Sequence, residues 1–208
     1  LKSFNPEAME VEVATQKLAA ATAKHSHAAL RRPVGVWLQP VFWFIVLSSV
    51  FPATFVTGLF FHQLRLIAEK GWTQAQLTQA FMLFALCRAS MALVTGNLID
   101  RFSALRIFPY IFLPFTIAML FFRFGVGVPY LFLYLAGVGL CFGMSNVIIG
   151  AVWAEIYGTE NLGAIRGVTA GVMVVTSAIA PVLLGFGLDQ QWNVNQILNV
   201  GLLGCGVS

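Results

Sequence analysis

Long apolar runs separated by short charged segments organise the whole chain. Residues 33–64, 124–154 and 167–188 contain no Asp, Glu, Lys or Arg. A helix needs about 20 mostly apolar residues to cross the hydrocarbon core of a bilayer. The pattern therefore predicts five membrane-spanning helices and a sixth apolar segment that is truncated or does not cross, at about 38–61, 74–98, 104–123, 129–154, 164–187 and 194–208.

The apolar runs are typical of helices rather than of barrel strands. A membrane β-strand alternates apolar and polar residues over about ten positions, whereas runs such as 41–50 are apolar on all sides. We therefore predict an all-α, polytopic membrane helix bundle over residues 33–208. Residues 1–32 are charged and Ala-rich, and they are predicted to form a linker or tail without a domain of its own.

Composition excludes several classes of protein. Apolar residues make up 59% of the 208-residue chain and charged residues only 10%, which is too few to cover a soluble domain. The net charge of +4 comes from twelve Lys and Arg spread thinly along the chain, so we expect no nucleic-acid partner. Enzyme signatures are absent, and the three Cys and three His residues are not spaced as metal ligands. We expect no catalysis, cofactor or metal.

The distribution of Lys and Arg predicts the orientation in the membrane. Eight of them fall in the tail, the second-to-third loop and the fourth-to-fifth loop, against three in the loops of the opposite side. Cytoplasmic loops carry the excess of positive residues. We therefore expect a multi-pass protein of the plasma (inner) membrane with a cytoplasmic amino-terminal tail.

Arg88 is the candidate binding residue. It lies near the middle of the second predicted span, where a guanidinium costs on the order of 3 kcal/mol even on lenient insertion scales. No complete span contains an acidic residue in its apolar part, so a carboxylate from elsewhere is expected to pair with Arg88. That carboxylate is either a bound substrate or a residue of another helix. Ser145 and Asn146, midway along the fourth span, could line the same pathway or bond across helices.

Small residues recur at four-residue spacing in two predicted spans. They are Gly139 and Gly143 in the fourth span, and Gly163, Gly167 and Gly171 in the fifth. Such spacing lets helix backbones approach closely. We expect close helix packing at both places.

A short cytoplasmic loop follows the second span, where residues 96–102 read GNLIDRF. Gly96 permits close helix contact, Asp100 could accept from the N–H groups of a nearby helix start, and Arg101 could meet a phosphate or carboxylate. Glu155 and Arg166 flank the fourth-to-fifth loop on the same side. These five residues are expected to form a conformational latch, with Glu155 and Arg166 either paired or simply solvated.

The pattern G-x-L-x-D-R between two spans resembles the signature loop of the major facilitator superfamily of secondary transporters. The family pattern continues with Gly and two basic residues, whereas this chain has Ser103, Ala104 and Leu105 before Arg106. The segment 157–167, YGTENLGAIRG, and the following Gly-rich span that ends in GFGLD are similar to the tenth-to-eleventh helix region of monocarboxylate-transporter-like facilitators. This resemblance implies a six-helix half of a major-facilitator fold, helices seven to twelve with the last truncated, and an amino-terminal six-helix half as partner.

The resemblance also implies a function and a site. In that family an arginine of helix eight is associated with the substrate carboxylate, and Arg88 matches it. Several animal members carry an aspartate one turn earlier that is linked with proton coupling, and here that position holds Phe84. Symport and antiport both stay open. We therefore expect a secondary active transporter of small organic anions, monocarboxylate-like, working by alternating access in a lipid bilayer. The alternatives are a non-transporting membrane scaffold or partner subunit, and a facilitator that exports another class of solute.

Overall fold

The computed structural model describes residues 36–207, and the side chains of residues 36–204. Every regular element within this part of the chain is a helix. The predicted tail, residues 1–32, lies outside the described residues. The elements are α1 (Pro40–Phe61), α2 (Gln63–Glu69), α3 (Gln74–Phe102), α4 (Ala104–Ile107), a 3₁₀ turn (Phe108–Ile111), α5 (Phe112–Phe124), α6 (Val128–Tyr157), α7 (Leu162–Asp189) and α8 (Val194–Val207).

Local sequence signals explain several of the helix ends. Pro40 occupies the first turn of α1, where its missing N–H is not needed. Thr73 and Gln76 form a reciprocal capping box at the start of α3, which satisfies two of the free N–H groups. Gly158 ends α6 with a φ of 72°, a conformation that glycine adopts at little cost.

Five helical segments are long and apolar enough to cross a membrane: Pro40–Phe61, Gln74–Phe102, Ala104–Phe124, Val128–Tyr157 and Leu162–Asp189. They coincide with the five spans predicted from the sequence, to within four residues at each end. The prediction of an all-helical bundle with five such helices is confirmed for the described residues. The sixth segment forms a helix, Val194–Val207, whose 14 residues are fewer than a crossing requires.

The helices pack around α6. The most extensive interface joins α3 to α6, followed by α5 with α6 and α1 with α7, while α8 contacts α5. Phe115, Phe122 and Leu135 are fully or almost fully buried in this core. Tyr134 stacks on Phe122 with ring centroids 4.4 Å apart.

Glycines allow α3 and α6 to approach closely. A Cβ atom at Gly139 would lie 2.5 Å from the carbonyl oxygen of Phe84, and one at Gly143 would lie 2.5 Å from that of Arg88. The expected close packing is confirmed at this pair. It is not found at Gly163, Gly167 and Gly171, because a Cβ at any of these would meet no described atom within 4 Å.

Two helices keep most of their surface uncovered by the described residues. In the most apolar stretch of each helix, 56% of the residues of α1 are buried, against 11% for α3 and 17% for α7. Long apolar helices with exposed faces need lipid or another helix to cover them. The bundle therefore leaves α3 and α7 available for such contacts.

Candidate functional site

Arg88 is the central residue of the 29-residue helix α3. Its side chain is exposed, and no carboxylate among the described residues pairs with it. It lines a concave pocket of about 360 Å³ between α3 and α6, with Phe84 and Ala85 on its own helix and Gly143 and Asn146 on the other. We call this the Arg88 pocket. It brings together two of the three residues that the sequence suggested for binding, Arg88 and Asn146.

The close approach at Gly143 positions the pocket. Because Gly143 lies against the backbone of Arg88, the side chain of Asn146, one turn further along α6, reaches the same concavity. The Asn146 amide nitrogen donates to the carbonyl of Phe142 at 3.1 Å. This bond uses one of the two N–H donors of the amide group.

Ser145, the third suggested binding residue, lies in a different cavity. This cavity of about 290 Å³ lies between α1, α6 and α7, and its lining includes Ser49, Ser145, Asn146, Arg166 and Thr169. We call it the Arg166 cavity. Asn146 lines both concavities, so the two are neighbours along α6.

Sequence reasoning missed the cavity and two of its polar residues, Ser49 and Thr169. Each is a hydroxyl residue in an apolar span that donates to the carbonyl four residues earlier, Ser49 to Ile45 at 2.6 Å and Thr169 to Ile165 at 2.9 Å. A faint signal exists for Thr169, which follows Arg166 by three residues and so shares its helix face.

Glu155 joins two helix ends at one end of the bundle. Its carboxylate accepts from the backbone N–H of Ala104 at 2.7 Å and of Leu105 at 3.1 Å, and from the Ser103 hydroxyl at 2.8 Å. An anion at the free N–H groups of a helix start is a stabilising arrangement. We call this contact the Glu155 clamp, and it fixes the start of α4 to the end of α6.

The remaining predicted latch residues are not gathered at this clamp. Asp100 was expected to accept from the N–H groups at a helix start, but at the start of α4 Glu155 does so instead. Asp100 and Arg101 are exposed at the end of α3, and a Cβ atom added to Gly96 would meet no described atom within 4 Å. Arg166 does not pair with Glu155, because its guanidinium lies against Gly150 on α6.

At the end of the bundle opposite the Glu155 clamp, basic residues bond to backbone carbonyls of neighbouring helices. Arg65 donates to the carbonyl of Leu188 at 3.1 Å, and Lys70 donates to that of Arg123 at 3.1 Å. Burial, and then the neighbouring positive charge of Arg123, lower the pKa of Lys70 from its ordinary value. The His62 ring nitrogen lies 2.9 Å from the carbonyl oxygen of Pro181, so the end of α1 contacts α7 at the proline inside that helix.

The comparisons with known proteins give no relative. No protein-family model matches the chain, and no curated protein is similar to it in sequence. Function is therefore inferred from the geometry and charge of the two concavities.

Proposed function

We propose that the protein is a secondary active transporter of small organic anions, monocarboxylate-like, with Arg88 binding the substrate carboxylate. The observation that most supports this is an unpaired guanidinium at the centre of a long apolar helix, in a pocket rather than against a buried acid. A guanidinium at the bilayer centre is stabilised by a carboxylate, which it can grip with two parallel hydrogen bonds.

The composition of the pocket favours an anion over a cation. None of the residues that line the Arg88 pocket is acidic. A cationic solute would meet Arg88 with like-charge repulsion, whereas a carboxylate would neutralise it. The small side chains of Ala85, Ala89 and Ala92 along α3 leave room for the organic part of a small anion.

The proposed transport is by alternating access. In this proposal the bundle is a six-helix half of a major-facilitator fold, and a second six-helix half covers the exposed faces of α3 and α7. The Glu155 clamp keeps the ends of α3, α4 and α6 together, so that this half moves as one body. The excess of Lys and Arg supports a cytoplasmic position for the clamp and the tail, and a plasma-membrane location.

Uptake into proteoliposomes that contain the intact protein tests the proposal. A panel of labelled L-lactate, pyruvate, acetate and succinate should show saturable uptake of at least one anion. Arg88→Gln should lower kcat/KM more than tenfold, because removing one partner of a charged hydrogen-bonded pair typically costs about 2–5 kcal/mol. Arg88→Lys keeps the charge but loses the fork geometry, so its kcat/KM should lie between those of the unchanged protein and of Arg88→Gln. Arg106 is a cation outside both concavities, so Arg106→Gln is the matched control.

Two outcomes would overturn the proposal. One is carboxylate uptake by Arg88→Gln at the KM and kcat of the unchanged protein. The other is a pair of results: the unchanged protein takes up no member of the panel, and Arg88→Gln loses an association with another membrane protein that the unchanged protein shows. The second outcome would instead identify a partner subunit that supplies the acid.

A further inference from the structure

The Arg166 cavity contains a second unpaired cation. Its lining includes Arg166 and no acidic residue, and no carboxylate among the described residues pairs with Arg166. Trp153 forms part of the same wall, and its buried indole N–H has no hydrogen-bond partner among the described residues. A buried donor without a partner costs about 1–3 kcal/mol. Arg166 is therefore the charged group that the described residues of the cavity offer to a ligand.

The guanidinium of Arg166 lies directly against Gly150 on α6. A Cβ atom on Gly150 would clash with the Nη2 atom of Arg166. Any larger residue at position 150 would therefore displace the guanidinium from the surface of α6. The glycine gives the planar group direct contact with the α6 backbone between the clamp end and Asn146.

The Arg88 pocket and the Arg166 cavity lie at successive positions along α6. Gly143 contacts the backbone of Arg88 and Gly150 contacts the guanidinium of Arg166. These glycines are seven residues apart on one helix, which corresponds to about 10 Å along its axis. Asn146 lies between them and lines both concavities. The arrangement provides two successive positions for a carboxylate.

The hydroxyls of the cavity indicate which carboxylates suit it. Ser145 donates to Cys141 at 2.7 Å and Thr169 donates to Ile165 at 2.9 Å. Their oxygens therefore remain as acceptors. A small carboxylate that carries a hydroxyl can place its charge on Arg166 and donate its own O–H to one of these oxygens.

We propose that the Arg166 cavity is a second carboxylate-binding site, which holds a small hydroxycarboxylate on its way between the Glu155 end of the bundle and the Arg88 pocket. Its place on the transport path rests on the proposed function. Binding in the cavity does not, because it follows from the charge, the glycine and the acceptors of the cavity itself.

Protection of an introduced cysteine tests the site in the intact protein. In a variant without native cysteines, Ala170→Cys places a thiol on the exposed wall of the cavity. N-ethylmaleimide is a neutral reagent, so its approach does not depend on the charge of Arg166. L-lactate should slow the labelling in a saturable manner, and neutral lactamide should not.

The variants separate the two sites. Arg166→Gln should raise the lactate concentration for half-protection at least tenfold. Gly150→Ala should raise it by a smaller factor, because the flexible end of Arg166 can shift away from the added methyl group. Arg88→Gln and the control Arg106→Gln should change it less than twofold. Equal protection in Arg166→Gln, or loss of protection in Arg88→Gln, would overturn the second site. Uptake that is independent of Arg88 would overturn the proposed function while leaving this protection pattern intact.

Discussion

Replacing Glu155 with alanine removes the carboxylate that joins the end of α6 to the start of α4. Three donors then lose their acceptor: the N–H groups of Ala104 and Leu105 and the Ser103 hydroxyl. Ser103 is also held at a φ of 68° and a ψ of 140°, a backbone region that non-glycine residues occupy at a cost of about 1–3 kcal/mol. The clamp therefore offsets strain at the corner between α3 and α4.

The expected loss can be estimated from analogous contacts. A side-chain cap at a helix start contributes about 0.5–2 kcal/mol, and a negative charge near the helix dipole adds about 0.3–1 kcal/mol. Because Glu155 is exposed, solvent screening favours the lower part of the combined range. We expect Glu155→Ala to cost about 1–2 kcal/mol locally, which corresponds to a factor of about 5–30 in the opening equilibrium.

Hydrogen exchange measured by mass spectrometry on the intact protein gives this factor directly. The amides of Ala104 and Leu105 should exchange about 5- to 30-fold faster in Glu155→Ala. Glu155→Gln should show a smaller increase, since it keeps one acceptor oxygen. Glu160→Ala removes an exposed acid from the adjoining loop and should leave these amides unchanged. Unchanged exchange in Glu155→Ala would refute the clamp.

Three further changes have defined outcomes. Gly143→Ala should lower the free energy of unfolding in detergent by about 1–3 kcal/mol, because its methyl group would meet rigid backbone atoms; an increase would contradict the close packing. The Thr54 hydroxyl donates to that of Thr176 at 3.0 Å, so a double-mutant cycle with valine at both positions should give a coupling of about 0.6 kcal/mol, and zero coupling would dismiss the bond. Arg123→Gln should raise the pKa of Lys70 but not restore its ordinary value, since burial is the larger cause. The pH profile of Lys70 acylation should then shift upward, and an unmoved profile would contradict this. Because the native pKa of Lys70 is lowered, its protonation opposes folding at neutral pH. This penalty begins to fall as the pH rises through the native pKa and is gone above the ordinary pKa of an unfolded lysine.

The helices could be predicted from the sequence, because hydropathy alone fixes their positions. Runs without charges over residues 33–64 and 124–154 are long enough for spans, and the structure places α1 and α6 there. The helix α2 and the 3₁₀ turn were not predicted, since both are too short to give a periodic signal. The spacing of small residues predicted close packing at both Gly143 and Gly167. Gly143 packs against α3, whereas no described atom lies within 4 Å of a Cβ at Gly167.

The candidate site was predictable only in part. Arg88 was conspicuous because a charge in an apolar run is costly, whatever the fold. Arg166 also carried a visible charge, but its contact with Gly150 depends on how α7 packs against α6. Glu155 was expected either to pair with Arg166 or to be solvated. Its contact with the start of α4 could not be predicted, because the two segments meet only in three dimensions. Spacing along the chain does not contain these long-range contacts.

Equilibrium binding at the Arg88 pocket tests the central claim most directly. The intact protein with Arg166→Gln lacks the proposed second site, so the labelled carboxylate with the highest uptake can be titrated against the pocket alone. We expect saturable binding of about one anion per protein, no competition by the corresponding neutral amide, and loss of binding when Arg88→Gln is added. Binding that survives Arg88→Gln, or that the amide displaces as well as the anion does, would contradict it.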